Sequence, residues 1–326
     1  MINKNLSDIS SPIKSELAKF NELFKNSMHS NVYLVDLVAR YIIRQKSKKL
    51  RPLLVLLSAK VTGEVNERTL RGAILVELLH TATLVHDDVV DSADKRRGFW
   101  SMNAVFKNKI AVLMGDYLLS RGLIIAVEGK DYDFLEVVTT TVKRMSEGEL
   151  LQIQKTRKLD IDEATYFKII SDKTASLLET CCQIGALSSS NHHEYTEIMK
   201  TFGGAIGIAF QIRDDILDFE GSSKMIGKPI GGDIKEKKIT LPLIYSLNQA
   251  SNSEAANIRK IIKNGKKKDN IKEVIEFVRR NKGIEYALDT AHEYSKKAKE
   301  LLKIFPDTPS KISLEILVDF VIERKN

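Results

Sequence analysis

Two short segments rich in aspartate are the part of this sequence best suited to chemistry. They occupy positions 87–91 and 214–218, and both have the pattern Asp-Asp-x-x-Asp. Residues three and four apart share one face of an α-helix, so each segment would present its carboxylates together. Such carboxylates repel one another unless cations neutralise them, and their oxygens are hard ligands that suit Mg²⁺. The two segments therefore predict two facing helices that share divalent ions and hold a phosphate-bearing substrate.

The neighbours of the two segments are apolar. Leu84-Val85 precede the first segment, and Ile216-Leu217 and Phe219 surround the last aspartate of the second. A single segment of this kind is more often an acidic face in solvent. Two copies embedded in apolar sequence favour a functional site, because charged side chains are rare beside a core.

Basic residues that could neutralise phosphate lie near these segments. Arg96 and Arg97 follow the first segment, and the planar guanidinium group suits phosphate oxygens. Lys48 and Arg51 lie beside Pro52 at a predicted helix start, where free backbone N–H groups also favour anions. Two separate basic sites suggest two phosphorylated substrates. For any one of these cations taken alone, a surface role is the alternative.

Two further stretches could bind an anion. Lys173-Thr174 begin another predicted helix, and residues 220–238, directly after the second segment, contain four glycines and five lysines. A flexible, lysine-rich loop at this place predicts a lid over a bound anion, with an ordinary surface loop as the alternative.

Helical periodicity dominates the chain and predicts an all-α fold. Leu75, Leu78, Leu79 and Ala82 recur at three-to-four spacing within a helix predicted for residues 70–91. No strand-like alternation bounded by hairpin residues is present and no linker divides residues 1–326, so a single domain is expected. Further helices are predicted to begin at Ser11-Pro12 and Thr308-Pro309 and to cover 53–61, 109–128, 132–157, 173–190, 195–219, 240–250, 270–281, 284–304 and 311–324.

Composition limits the class of protein. The chain is 43% hydrophobic, enough for a sizeable core, and the adjacent Cys181 and Cys182 are expected in that core rather than in a disulfide. A reducing cytoplasm is therefore expected. No signal peptide and no membrane-spanning run of about 18 apolar residues are expected.

The net charge is +8, which by itself allows nucleic acid, anionic lipid or phosphorylated metabolites as partners. Residues 263–268 and Arg324-Lys325 carry much of this excess and are expected on a solvated surface. Aromatic residues make up only 7% and are not interleaved with the basic runs, so nucleic-acid binding is not expected.

Two histidines allow a different hypothesis. His80 lies seven residues before Asp87 on nearly the same helix face, and His86 adjoins Asp87. The three residues would suit a histidine–aspartate phosphohydrolase, although a histidine on an apolar helix is more often a core residue. This hypothesis explains neither the second aspartate segment nor the arginine pair.

In this order the motifs resemble those of the trans-isoprenyl diphosphate synthases, of the polyprenyl synthetase family, and especially the long-chain, octaprenyl type. The resemblance is carried by residues 77–91 with Arg96-Arg97-Gly98, by 203–218 with Phe210-Gln211, by 48–52, by Gly148-Glu149, by Lys173-Thr174, and by 227–229 leading to 238–242. Two places depart from it. The family often has two glycines where Lys46-Ser47 stand here, and a glycine in place of Lys237.

The resemblance implies an isoprenoid-synthase helical bundle with a central cavity between the two aspartate-bearing helices. It also implies Mg²⁺ as cofactor, with three ions in the closed complex, and a homodimer. The residues implied in catalysis are Asp87, Asp88, Asp91, Lys173, Asp214 and Asp215. Those implied in metal binding, directly or through water, are the same five aspartates and Asp218. Isopentenyl diphosphate would bind at Lys48, Arg51, His80 and Arg97. The allylic diphosphate would bind at Arg96, Lys173, Thr174, Gln211, Lys228 and Lys238.

The implied product is set by how far its tail can extend between helices. In the family, bulky aromatics four or five residues before the first aspartate stop the tail early, whereas Thr83 and Ala82 are small. Leu78 and Leu79 could form a deeper floor. We therefore expect farnesyl diphosphate to be extended to a long all-trans product, in the hexaprenyl-to-octaprenyl range used for quinone side chains. Geranylgeranyl diphosphate is the competing product.

Two other functions on a similar fold remain as alternatives. A non-catalytic partner subunit would usually lose one aspartate segment, and a terpene cyclase would tend to lack Lys48, Arg51 and Arg97. A cytoplasmic enzyme that transiently contacts a membrane surface to release its product is the expectation.

Overall fold

The chain is helical almost throughout, which confirms the all-α prediction. The structure is a computed structural model that describes residues 6–44, 49–91, 95–96, 99–220, 231–264 and 268–324. The α-helices are α1 (Leu6–Ser10), α2 (Lys14–Ser27), α3 (Tyr33–Arg44), α4 (Leu50–Thr62), α5 (Glu67–Val90), α6 (Met102–Glu128), α7 (Tyr132–Lys158), α8 (Glu163–Ile170), α9 (Ser176–Ser189), α10 (His193–Glu220), α11 (Gly232–Lys235), α12 (Leu241–Gln249), α13 (Asn252–Asn264), α14 (Lys268–Arg280), α15 (Gly283–Leu302) and α16 (Pro309–Glu323). A 3₁₀ turn, Ser11–Ile13, links α1 to α2, and a π-helical turn, Ser171–Ala175, links α8 to α9.

One short β-ladder departs from the helical pattern in the part of the chain that the structure describes. Strand β1 (Lys95–Arg96) pairs antiparallel with β2 (Phe99–Trp100), with Lys95 opposite Trp100. Two residues per strand are too few to show a period-two pattern, so the sequence could not reveal this ladder.

The chain forms two compact units. The first comprises Met1–Thr140, Thr180–Lys200 and Lys303–Ile316, and the second comprises Thr141–Glu179, Thr201–Leu302 and Leu317–Asn326. The first aspartate cluster belongs to the first unit and the second cluster to the second. A single domain, with a central cavity between the two aspartate-bearing helices, stays a prediction.

Helix α5 carries the first cluster. It begins at Glu67, three residues before the predicted start, because Asn66 and Thr69 form a capping box. The Asn66 side chain accepts from the Thr69 N–H at 3.0 Å, and the Thr69 hydroxyl oxygen accepts from the Asn66 N–H at 3.2 Å. Leu75 and Leu78 are fully buried, and Gly122 of α6 packs against both. Close packing on α6 thus fixes the position of the helix.

Helix α8 was missed by the sequence prediction, which began a single helix at residue 173. Asp162 caps α8, since its carboxylate accepts from the Thr165 N–H at 2.7 Å. The chain then continues through the π-helical turn that holds Lys173 and Thr174. Such turns contain one residue more than an α-helical turn and are frequent at functional sites.

One described helix, α6, is long and apolar enough to cross a membrane. It has 27 residues and a mean hydropathy of 1.8 over its most apolar stretch, of which 33% is buried. Core helices of soluble proteins pass the same test of length and composition, and this helix includes charged Asp116 and Arg121. Arg121 donates from Nε to the Ser27 carbonyl at 3.2 Å, a contact with the packed first unit.

Candidate active site

The first aspartate cluster, Asp87, Asp88 and Asp91, lies at the C-terminal end of α5. Asp88 is buried, Asp87 is half-buried and Asp91 is exposed. The Asp91 N–H donates to the Asp87 carbonyl at 2.8 Å, and the last turn contains no basic residue. Because the C-terminal end of a helix carries partial negative charge, three carboxylates there are unfavourable without a cation. This position favours a bound cation.

The residues expected to bind isopentenyl diphosphate are only partly described. Arg51 is half-buried in the first turn of α4, and His80 is buried on α5. Lys48 and Arg97 lie outside the described residues, and Arg96 lies in strand β1. The roles of these residues stay predictions.

His86 contacts α6. Its Nε2 lies 3.2 Å from the Val112 carbonyl and 3.4 Å from Asp116 Oδ1. A Cβ at Gly115 would lie 2.2 Å from the same nitrogen, so glycine makes this contact possible. Within the described ranges, no group of three or more His, Cys, Asp or Glu side chains is placed to hold a metal ion. This holds for the two aspartate clusters as well, so it does not decide between the hypotheses.

The residues expected to limit product length lie on the last turns of α5. Leu78, Leu79 and Ala82 are buried, and Thr83 is half-buried, with its hydroxyl donating to the His80 carbonyl at 2.8 Å. Of the residues five and four positions before Asp87, Thr83 is therefore more accessible to solvent than Ala82. Their role in product length stays a prediction.

The second aspartate cluster, Asp214, Asp215 and Asp218, lies in the last turns of α10, where again no basic residue is present in the final turn. Asp214 is 47% exposed and forms an ion pair with Arg324. The Arg324 guanidinium also donates to the Phe210 carbonyl at 3.0 Å and stacks 3.8 Å from the Phe210 ring centroid. Burial lowers the pKa of Arg324 below its usual value.

The expectation that Arg324 lies on a solvated surface is wrong. Its side chain is only 10% exposed. The ion pair with Asp214 and the stacking on Phe210 compensate for the loss of water around its charge.

Asp218 holds the start of α11. Its two carboxylate oxygens accept from the backbone N–H groups of Gly232 at 2.9 Å and Asp233 at 3.1 Å. A carboxylate at a helix N-terminus is favourable because it satisfies free N–H groups. The expected lid begins at residue 220, twelve residues before Gly232, but residues 221–230, with Lys228, lie outside the described part of the chain.

A cavity of about 150 Å³ lies in the second unit beside Asp215. Its ionisable lining consists of Lys155, Lys173, Lys237, Lys238, Tyr166, Asp215 and Asp233. Its apolar lining consists of Ile161, Ile169, Ile170 and Ile239. Ammonium groups together with branched apolar side chains suit a ligand that has an anionic head and a hydrocarbon chain.

Lys173 and Lys238 of this cavity each have a carboxylate partner. Lys173 Nζ pairs with Glu149 and donates to Gln152 Oε1 at 2.8 Å, and Lys238 Nζ lies 2.5 Å from Glu236 Oε2. A Cβ at Gly148 would lie 3.0 Å from the backbone nitrogen of Lys173, so glycine allows α7 to approach the π-helical turn closely. The close contact between α7 and the π-helical turn is thus a structural reason for glycine at position 148 of the Gly148-Glu149 motif.

A chain of hydrogen bonds runs along one edge of the cavity. The Thr174 hydroxyl donates to Gln211 Oε1 at 2.9 Å, and Gln211 Nε2 donates to Asp215 Oδ1 at 2.8 Å. The Tyr166 hydroxyl donates to Asp215 Oδ2 at 2.7 Å. Burial, reinforced by Asp233, raises the pKa of Asp215 well above its usual value. Burial also raises the pKa of Tyr166, so its hydroxyl keeps the proton that it donates.

A Schellman motif ends α11 and places Lys238 at the cavity. The Lys237 N–H donates to the Ile234 carbonyl at 3.0 Å, and the Lys238 N–H donates to the Asp233 carbonyl at 2.8 Å. The motif requires a left-handed residue, and Lys237 has a φ of 60°. Glycine would be favoured at position 237, where the family usually has it, because glycine adopts a positive φ without a Cβ clash.

Replacing Lys237 with glycine is expected to raise the free energy of unfolding by about 0.5–1 kcal/mol, because glycine adopts this φ without a Cβ clash. The midpoint of urea unfolding measures the change. Lys235→Gly is the matched control, since the same substitution in the helical part of α11 is expected to lower stability. An equal loss in both variants would contradict strain at Lys237.

Among the residues of this site that sequence reasoning missed, four are ionisable: Tyr166, Asp233, Lys155 and Arg324. Tyr166 had a usable signal, because a tyrosine in an apolar helical run needs a partner for its hydroxyl when buried. The other three gave none, since tertiary packing brings them to the cavity or to Asp214.

Comparisons with known proteins identify the family of this chain. The model of the polyprenyl synthetase family matches residues 33–278. The octaprenyl diphosphate synthase of Haemophilus influenzae is 32% identical over 95% of this chain and 94% of its own. A crystal structure of a polyprenyl synthase from Caulobacter crescentus CB15, complexed with calcium and isoprenyl diphosphate, has 31% identity and a TM-score of 0.91, covering 99% of this chain and 98% of that one. A geranylgeranyl pyrophosphate synthase from Bacteroides thetaiotaomicron has 38% identity and a TM-score of 0.83, covering 98% and 99%. Proteins named for products of different length are thus similar to this chain over nearly its whole length.

Proposed function

Because the chain belongs to the polyprenyl synthetase family and is a trans-prenyltransferase, we propose that it extends an allylic diphosphate with isopentenyl diphosphate to a long all-trans polyprenyl diphosphate. Farnesyl diphosphate is the proposed starter, and a quinone side chain is the proposed use. The observation that carries the proposal is the cavity of the second unit, where four lysines and Thr174–Gln211 share one space with isoleucines. Such a space can hold a diphosphate, accept a hydrocarbon and place dipoles beside a cation.

The proposed reaction needs charge stabilisation rather than a protein nucleophile. The allylic carbon–oxygen bond breaks, and its electron pair leaves with the diphosphate. The double bond of isopentenyl diphosphate attacks the allylic cation, and loss of a proton, which the departed diphosphate accepts, completes the five-carbon extension. Lys173 and Lys238, held at the cavity before the substrate arrives, stabilise the charge that develops on the leaving group.

The aspartates are proposed to hold Mg²⁺, three ions in the closed complex. Bound there, Mg²⁺ would add positive charge at the leaving diphosphate. The members proposed as direct ligands, Asp87, Asp91 and Asp214, are the more accessible ones of their clusters. Asp88 and Asp215 are buried and are proposed to support them. Carboxylate oxygens at the negative ends of two helices suit a hard cation.

A long product is proposed because Ala82 and Thr83 place no bulky side chain before the first aspartate. Leu78 and Leu79 are the proposed floor of the tail pocket. Geranylgeranyl diphosphate is the alternative, and the geranylgeranyl pyrophosphate synthase similar to this chain keeps it open.

The test is an assay with purified protein, Mg²⁺, farnesyl diphosphate and labelled isopentenyl diphosphate, with products sized by chromatography. A ladder that ends between six and eight isoprene units supports the whole proposal. A ladder that stops at four units would retain the transferase and reject the long product. Folded protein that incorporates no label would reject the transferase and favour a non-catalytic partner subunit.

A homodimer is proposed from the exposed face of α6. Val112, Leu113, Ile124 and Val127, all after the backbone break at Lys107, are 40–58% exposed and fall within one third of the helix circumference. Asp116, 60% exposed, lies in the middle of this face. A carboxylate there opposes insertion into lipid and suits a second copy of the chain, in which a polar group can find partners.

Replacing Leu113 with glutamate is expected to weaken the dimer at least tenfold, since it adds a second negative charge to an apolar face. Sedimentation velocity should give about twice 36.8 kDa for the wild type and a lower mass for the variant. Ile304→Glu, at a 48% exposed isoleucine outside α6, is the matched control. A monomeric wild type would contradict the homodimer.

A cytoplasmic location is also proposed, with transient contact between the enzyme and a membrane surface when the long apolar product is released. Flotation with anionic vesicles, with and without bound product, tests this contact.

A further inference from the structure

The Tyr166 hydroxyl has a position that the proposed reaction does not yet use. We propose that Tyr166 is a positioning residue, which fixes the Asp215 carboxylate and, through it, the Gln211 amide and the Thr174 hydroxyl at the reacting end of the cavity. The inference rests on the proposed function. In this role Tyr166 does not contact substrate atoms. Its effect on the groups at the cavity is transmitted through three hydrogen bonds.

Burial makes this chain of hydrogen bonds specific. Tyr166 and Asp215 are 3% and 4% exposed, so water cannot easily replace a lost partner. One Asp215 oxygen accepts from Tyr166 and the other from Gln211. A carboxylate with a donor on each oxygen has a fixed rotation, whereas one with a single donor can turn.

The orientation of the Gln211 amide follows from that of Asp215. The Gln211 side chain bridges the two groups, with Nε2 facing Asp215 Oδ1 at 2.8 Å and Oε1 facing the Thr174 hydroxyl. The Thr174 hydroxyl donates to that oxygen at 2.9 Å. Without the Tyr166 hydroxyl, the side-chain orientations of Gln211 and Thr174 would therefore no longer be fixed.

Tyr166 also connects two segments of the second unit. It lies on α8, which runs directly into the π-helical turn with Lys173, whereas Asp215 lies on α10. Its ring packs edge-on against Phe167 at 5.5 Å between centroids and lines the cavity. The hydroxyl therefore ties the segment that presents Thr174 to the helix that presents Gln211.

Tyr166→Phe removes only the hydroxyl and keeps the ring. We expect kcat to fall about 10- to 100-fold, because small misplacement of reacting groups costs that much. The KM for farnesyl diphosphate should stay within about threefold, since the lysines that hold the diphosphate are unchanged. Tyr286→Phe is the matched control, because it also removes a hydroxyl that donates to a carboxylate, Glu163, at 2.8 Å, away from the cavity.

A second readout does not depend on catalysis. The Gln211 side-chain amide signal can be observed by NMR in protein labelled with ¹⁵N-glutamine and assigned by its loss in Gln211→Met. In metal-free protein we expect Tyr166→Phe to shift or broaden this signal, and Tyr286→Phe to leave it in place.

Lower kcat with near-constant KM and a perturbed Gln211 signal, both confined to Tyr166→Phe, would establish the positioning role. An unchanged Gln211 signal, kcat within twofold of the wild type, or an equal loss in Tyr286→Phe would overturn it. Wild-type protein without transferase activity would reject the proposed function instead, and the amide signal would still decide whether Tyr166 orders Gln211.

Discussion

Asp87→Asn is expected to lower kcat/KM by roughly three orders of magnitude, because an amide cannot supply the charge that a divalent cation needs beside a diphosphate. The fold should be unaffected or slightly more stable. Asp87 is half-buried in the last turn of α5. Removing a negative charge from the C-terminal end of a helix raises the free energy of unfolding by about 0.3 kcal/mol or more, because it relieves an unfavourable interaction with the helix dipole. Steady-state kinetics and urea unfolding, measured on the same preparations, separate the two effects.

The matched control for this variant is Asp289→Asn. Asp289 is an exposed aspartate on α15, in the second unit, and belongs to neither cluster. Its replacement makes the same chemical change and is expected to leave both activity and stability unchanged. An Asp87→Asn enzyme with wild-type turnover would show that the first cluster does not bind the metal.

Lys173→Gln is expected to lower kcat/KM for the allylic diphosphate by about 10²- to 10³-fold. Lys173 Nζ lies at the cavity, in contact with Glu149 and Gln152, and its positive charge is already in place when a diphosphate enters. Glutamine keeps most of the side-chain length and can still hydrogen-bond, so the variant isolates the charge. Both kcat and KM for farnesyl diphosphate should change, because the charge acts on the bound and on the leaving diphosphate.

Lys168→Gln provides the control for that charge. Lys168 lies five residues earlier, pairs with Asp172 at 3.0 Å and is 67% exposed, outside the cavity lining. We expect it to retain activity within about twofold, since an exposed ion pair contributes little. Equal losses in the two variants would point to a general effect of net charge and would contradict a specific role for Lys173.

The sequence predicted the helices that follow a regular apolar period. Helix α5 was found to within three residues of its start, because Leu75, Leu78 and Leu79 recur at helical spacing; the cap at Asn66, which sets the true start, was not recognised. Helix α8 and the π-helical turn were missed, since a short helix followed by a turn of different period gives no sustained pattern. The strand pair was invisible for the same reason of length.

The candidate site could be predicted where residue type alone limits the chemistry. Repeated aspartates and the Lys173-Thr174 pair stand out in a sequence whatever the fold, and the structure places the pair at the cavity. The partners of Tyr166 and Arg324 could not be predicted from the sequence, because the contacts with Asp215 and Asp214 join residues 49 and 110 positions apart. Only tertiary packing decides such pairs.

Lys237 shows how a local departure can be understood once backbone angles are known. From the sequence, a lysine in place of a usual glycine was only an irregularity in a loop. Its φ of 60° at the end of α11 identifies a specific requirement, and the remaining backbone bonds of the motif are kept.

The π-helical turn Ser171–Ala175 has a consequence for how this gene can change. Substitutions in the turn alter one side chain at a time, but a single-codon deletion would restore a regular α-helix. Each residue advances a helix by about 100°, so everything on one side of the deletion would rotate by that angle against the other. Lys173 and Thr174 would lose their shared orientation toward the cavity. Among distant relatives, a one-residue gap in this segment would therefore indicate that different side chains face the cavity, more reliably than any change of residue type would.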